Sequence, residues 1–399
     1  MGAYEELSAD NRKKVDSLLA ETRANDGLAP VDIERFWADQ ALAKADPFGK
    51  DIPQVPLGAI CNWECTFAEL GIEQDWHRYQ NDPDWAIGLN KRYNELSEKI
   101  VGRRLLRETK PEPRLSWPAP KALHDVFEGK NVWEGGKAGS WWLKQAADTP
   151  DELRALLDRV DARDIRSFIL PENWHAEKAR LSALGVKGPR YRHQRGPCTF
   201  ATSIYGSENM IFLCLDEPDL AARFSRTILR VMLDIARVLD EEAGYTPETA
   251  PRGFSFADDN CCLFNPEMYE LFGLPVLEGM FARYSPDPTD RRYQHSDSAM
   301  GHLLPLLARV DLTGTNFGPT VRVGEIRHHL PHAVIDGQLA PFTFCRNEEE
   351  NMVAEFLRDF EQTREARGLN FSTAGSINNG SRLTGMRLLM ATIQRYGRY

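Results

Sequence analysis

No stretch of the chain approaches the roughly 18 uncharged apolar residues that a membrane-spanning helix requires, so no membrane span is expected. Cysteine is sparse. Seven in 399 residues show no disulfide framework and no CxxC pair, and reduced thiols are the expectation, with the CxxxC of Cys61 and Cys65 a metal pair or, more commonly, two buried thiols. Basic charge is also in short supply. Lys and Arg number 49 against 59 Asp and Glu, a net charge of −10, which argues against a nucleic-acid partner held through its phosphates. The opening residues Met1-Gly-Ala-Tyr-Glu-Glu-Leu7 lack the basic start and apolar stretch of a secretory leader, so a cytoplasmic location is expected. Neither solenoid-length repeats nor low-complexity segments occur.

What is present is an alternation. Between Phe254 and Gly375 five short apolar runs each end in polar residues: Phe254–Asn260, Arg291–Asp297, Asp311–Asn316, Ala333–Gln338 and Leu369–Ala374. Segments of helical spacing or composition separate them, and alternating strands and helices imply a parallel sheet. Polar residues gathered repeatedly at strand ends favour a (β/α)8 TIM barrel, whose chemistry sits on the loops after its strands. A doubly wound sheet gives a similar pattern.

Upstream, helices are expected over Tyr4–Thr22 and Pro30–Lys44, making residues 1–50 a helical extension. Val55–Ile60 is a candidate first strand, ending at Cys61-Asn-Trp-Glu-Cys65. Asn94–Arg107 reads as a helix, and Lys110–Arg114 with Trp117–Pro120 as Pro-rich loop. The Trp133–Trp142 stretch reads as a lid or a strand-and-turn insertion. Thr149-Pro-Asp-Glu152 is a capping box opening a helix to about Ala162. Ile165–Leu170 and Cys198–Ile204 are strand candidates, and Leu220, Phe224, Ile228, Val231, Ile235 and Leu239 form the apolar stripe of a long helix.

Several residues could carry chemistry. Asp258 and Asp259 end the Phe254 strand, and only one of two adjacent residues can face the axis of a barrel. His295 and Asp297, two apart on a strand, point the same way; such a pair can bind a metal or act as an acid–base couple. A third ligand is unmarked, with Cys261, Cys262 or Asp258 within reach. A structural histidine is the plain alternative. Arg190, Arg192, His193 and Arg195 form a basic cluster suited to a carboxylate or phosphate, unless it is a solvated loop paired with surplus acids. Asn316, Asp336, Gln338, Ser372 and Thr373 lie at further strand ends and are candidate substrate contacts. Arg327-His-His-Leu-Pro-His332 precedes a strand, the wrong end of a barrel for catalysis.

These residues together resemble the uroporphyrinogen decarboxylase superfamily, which includes the decarboxylase and related cobalamin-dependent methyltransferases. The resemblance spans about residues 195–399: Gly196-Pro197, the segment Asp258-Asp-Asn-Cys-Cys-Leu-Phe-Asn-Pro-Glu267 with Leu274-Pro275, His295-Ser-Asp297, Ile335-Asp-Gly-Gln338, and Asn378-Asn-Gly-Ser-Arg-Leu383 to Tyr396-Gly397. Val55-Pro56 fits the family's first strand. It implies one (β/α)8 barrel over residues 51–399, with an insertion at about 76–150. The methyltransferases hold zinc with His-x-Cys and a later Cys; here those positions read His295-Ser-Asp297 and about Gly375. The decarboxylase's Arg-rich first motif is missing from Val55–Cys65, so this is not a housekeeping uroporphyrinogen decarboxylase.

The resemblance implies methyl transfer from a small methylated substrate, with zinc or another divalent metal at His295 and Asp297 and a corrinoid brought by a separate protein. The alternatives are decarboxylation or lyase chemistry on a small carboxylate, and a barrel that binds a small molecule without turning it over. Composition fixes no oligomeric state.

Overall fold

Strands and helices alternate along the chain in a mixed α/β arrangement, and the computed structural model describes residues 2–110 and 112–399. Met1 and Pro111, the latter within the expected Pro-rich loop, lie outside the described residues. Two units can be separated: Pro111–Ser296 with His302–Thr313, and Met1–Lys110 with Asp297–Gly301 and Gly314–Tyr399.

In the first of these units, β1 (Lys130–Glu134) and β2 (Ser140–Lys144) form an antiparallel hairpin. That settles the Trp133–Trp142 stretch as strand and turn. Strands β3 (His193–Arg195), β4 (Phe254–Ala257) and β5 (Arg292–Ser296) run parallel, with Arg195, Ala257 and His295 in one row. Parallel pairing requires crossovers, supplied by helices Pro197–Tyr205, Ser207–Asp216 and Pro218–Glu242, then Pro266–Phe272 and Leu274–Tyr284. The register of β4 follows from its aromatics. Phe254 and Phe256 are fully buried against Tyr191, Tyr284 and Phe281, while Ser255 and Ala257 take the opposite, more open face. A slip by one residue would expose both phenylalanines, costing on the order of 4 kcal/mol. The whole expected stripe of the long helix is buried.

The other unit holds β6 (Gly314–Phe317), β7 (Val334–Leu339) and β8 (Leu369–Thr373), also parallel. Val55, Leu57 and Ala59 alternate into the core beside β8. The amides of Gly58 and Ala59 donate to the Phe371 carbonyl at 2.7 and 3.0 Å, and the Phe371 amide donates to the Pro56 carbonyl at 2.8 Å. The expected first strand thus lies alongside β8, reduced to a single parallel bridge at Leu57.

Four expectations change. Ile165–Leu170 is a short helix, Ile165–Ile169, because buried Ile165 and Ile169 are four apart and share a helix face. Cys198–Ile204 is the helix Pro197–Tyr205: Gly196-Pro197 is a cap followed by proline at the first helical position, and the basic cluster before it supplies the strand. The helix placed at Asn94–Arg107 runs from Pro83 to Val101, between the Asp82 cap and left-handed Gly102. The first expected helix is two, Ala3–Glu6 and Ala9–Ala24, because the Ser8 hydroxyl accepts from the Asn11 amide and starts the second afresh.

Candidate active site

The adjacent aspartates after β4 part company. Asp258 turns inward and is fully buried, its Oδ1 accepting from the Thr199 amide at 2.7 Å in the first turn of helix Pro197–Tyr205. Its neighbour there must be glycine, since a Cβ on Gly196 would meet the Asp258 Cβ at 2.2 Å. Burial pushes the Asp258 carboxyl up to about 6, against the pull of the Thr199 amide. Its role is to anchor the helix start. Thr199 and Thr202 complete the anchor: Thr199 Oγ1 accepts from the Asn260 amide at 2.9 Å, and Thr202 Oγ1 from Asn260 Nδ2 at 2.7 Å. Nothing in the sequence marks these threonines, because the short apolar segment Cys198–Ile204 that holds them fits a strand as well as a helix.

Asp259 begins the 3-10 turn Asp259–Leu263, which swings its carboxylate toward β5. There Asp259 Oδ1 lies 3.5 Å from His295 Nε2. Both keep partial solvent access, their side chains 39% and 24% exposed, as a reacting pair must. The His295 carbonyl accepts from the Asp258 amide at 2.8 Å, which fixes the backbone under the imidazole. Asp297 follows two residues on, so the local chain alone keeps its carboxylate near the pair. One ligand atom each from Asp259, His295 and Asp297 lies within 4.8 Å of the others. Donors bound at about 2.0–2.2 Å to one ion stand at most about 4.4 Å apart, so small side-chain rotations would close this set on a cation. Two carboxylates and one imidazole favour harder divalent ions over a thiolate-preferring site. The third member is Asp259. Cys261 is instead buried against the Ser296 hydroxyl at 3.7 Å, its thiol pushed far up by burial.

Glycine at 375, where the resemblance looks for a cysteine, is tied to Asp297. A Cβ at Gly375 would come within 2.6 Å of the Asp297 Cβ, and its φ of +113° is closed to L side chains. The two departures from the methyltransferase pattern therefore touch.

The basic cluster splits. Arg192 is held by Asp240 at 2.7 Å, donates to the Pro251 and Tyr191 carbonyls, and stacks on Tyr284. It binds the fold together and has little left for a ligand. His193 Nδ1 contacts Ser255 Oγ at 3.0 Å, and burial, with His295 and Arg291 nearby, holds its imidazole below the usual value. Arg195 reaches Ser203 Oγ at 3.3 Å and, with Arg190, is exposed. Arg195 shares its sheet face and row with His295, two strands or about 10 Å away.

The remaining candidates end β6, β7 and β8. Asn316 Nδ2 donates to the Asp336 carbonyl and, at 2.8 Å, to that of Thr373, while its Oδ1 accepts from the Gly375 amide at 3.1 Å. Asp336 Oδ1 accepts from Asn370 Nδ2 at 2.6 Å. Gln338 Nε2 donates to the carbonyls of Gly318 and Val321 at 3.0 and 2.7 Å. Thr373 Oγ1 donates to the Gly375 carbonyl at 2.9 Å, and Ser372 is half-buried.

No family model matches the chain, and no curated protein matches it by sequence. Among solved structures it is similar to a methyltransferase from Methanosarcina mazei, with a TM-score of 0.54 and 14% identity over 88% of this chain and 96% of that one. A likeness at this identity speaks for the fold. No helix among the described residues is long and apolar enough to cross a membrane.

Proposed function

We propose that this protein is an enzyme that removes a methyl group from a small methylated compound, with a divalent cation at Asp259, His295 and Asp297. The single observation behind this reading is the convergence of those three ligand atoms within 4.8 Å at the ends of β4 and β5. The solved structure it is similar to carries the name methyltransferase, which agrees with it. The finer reading of the fold is a (β/α)8 barrel of the uroporphyrinogen decarboxylase superfamily. A bound cation would withdraw charge from the heteroatom that bears the methyl group. His295 would offer an imidazole nitrogen to the cation, and Asp259 and Asp297 would balance its positive charge. When the methyl leaves, the heteroatom keeps the bonding pair and takes a proton. The acceptor contributes the pair for the new bond, and we assign that part to a corrinoid carried by a separate protein.

A second reading rests on Arg195, in one row with His295. Its guanidinium would anchor a substrate carboxylate while His295, between two carboxylates, moves a proton, which is lyase chemistry without a metal. One comparison separates the readings. Purified protein is assayed for metal and for methyl transfer to free reduced cobalamin from a panel of methyl ethers, thioethers and amines. The first reading expects about one equivalent of divalent metal, lost in His295→Ala, and transfer from at least one donor. A metal-free protein without transfer overturns it, and carbon dioxide release from a carboxylate in that protein supports the second.

A further inference from the structure

One cavity belongs to residues that the proposed chemistry does not use. It measures about 730 Å³ and is lined by Ile60, Cys61, Trp63, Tyr79, Leu106 and Arg107 among others. Volumes of about 300–1,000 Å³ are typical of small-molecule sites. It opens where the Val55–Ala59 segment, parallel to β8, gives way to loop, the end at which parallel sheets carry their ligands.

Its walls specify an occupant. Trp63 stacks on Tyr79 with ring centroids 5.5 Å apart and an interplanar angle of 19°, and Trp76 meets it edge-on at 5.2 Å. Phe67 supports Trp76 from below at 4.4 Å. The indole is thus fixed in orientation, yet Trp63 lines the cavity and remains 38% exposed. The side-chain amides nearby are already engaged. Asn62 is held by Glu64, and Asn90 accepts from the Tyr79 hydroxyl at 2.6 Å while donating to the Arg107 carbonyl at 2.8 Å. A ligand therefore meets few polar groups there. The exception is Arg107, whose guanidinium donates only weakly, to Thr109 Oγ1 at 3.3 Å and the Lys110 carbonyl at 3.4 Å. Among the described residues no carboxylate pairs with it, in a chain of net charge −10.

We propose that this cavity binds a small planar aromatic carboxylate, with its ring against Trp63 and its carboxylate on Arg107. The ring fits an exposed indole on the cavity wall, and the anion fits a guanidinium without a charged partner. The site stands on residues of one unit and does not depend on the reading of Asp259, His295 and Asp297.

The test is calorimetric titration of the full chain with 4-methoxybenzoate, cyclohexanecarboxylate and anisole. Saturable binding of 4-methoxybenzoate is expected, about tenfold tighter than either of the others. Trp63→Leu should weaken it about 3- to 10-fold, the range of one aromatic contact. Arg107→Gln should weaken it about tenfold and leave anisole unchanged. Near-UV circular dichroism checks folding, and if Trp63→Leu does not fold, Trp63→Phe takes its place with about a threefold loss expected. Absence of saturable binding, equal binding of cyclohexanecarboxylate, or indifference to both substitutions would overturn the assignment.

Discussion

The strand ends of the two units carry similar residues and use them in opposite ways. After β6, β7 and β8, Asn316, Gln338 and Thr373 are buried and hydrogen-bonded to backbone. After β4 and β5, Asp259 and His295 keep solvent access and face each other. A polar residue at a strand end thus has two fates. Where the chain folds back over it, leaving it unpaired costs about 1–3 kcal/mol, so it must serve the backbone. Where a turn holds it at the rim, it keeps solvent access and can meet a second polar side chain, as Asp259 meets His295. Asp258 and Asp259 show both fates in adjacent residues.

The sharpest way to break this contrast is to fill the closed side. Gly375→Ala meets both the Asp297 Cβ and a φ of +113°, and should cost about 4 kcal/mol in denaturant unfolding. A loss below about 1 kcal/mol would mean that this turn yields easily. Next comes Asn316→Ala, which strands the Thr373 carbonyl and the Gly375 amide and should cost about 3 kcal/mol. A near-neutral result would place Asn316 with the available residues instead.

Asp258 predicts a pH dependence. Its carboxyl, raised by burial to about 6 from an ordinary 3.8, favours the protonated form when folded. That contribution is complete below pH 3.8 and is lost as pH rises through about 6, to a total of roughly 2–3 kcal/mol. Asp258→Asn should flatten stability between pH 4 and 7, measured by urea unfolding at each pH; an unchanged slope would assign the dependence elsewhere. The smallest effect on stability belongs to His295→Ala, within about 1 kcal/mol because a rim side chain leaves no core cavity. The same protein should lose its metal and its turnover. An unfolded variant would make His295 a structural residue.

Much of this was legible in advance. The five runs from Phe254 to Gly375 each hold most or all of a strand, because short apolar runs separated by helical segments are what a parallel sheet leaves in a sequence. Thr149 and Asn265 start helices as their hydrogen-bonding side chains dictate. The misreadings came from short apolar segments, Ile165–Ile169 and Pro197–Tyr205, where five to nine residues satisfy either period. Only the capping signal at Gly196-Pro197 could have decided the second.

By itself the sequence determined the alternation of elements and the helix starts, since each depends on neighbours within a few residues. Which of Asp258 and Asp259 is buried, that Arg192 belongs to Asp240, and that Asp259 joins His295 were decided by tertiary structure alone. Those choices rest on contacts between residues 36 to 59 positions apart, whose meeting depends on how crossovers return the chain to the sheet.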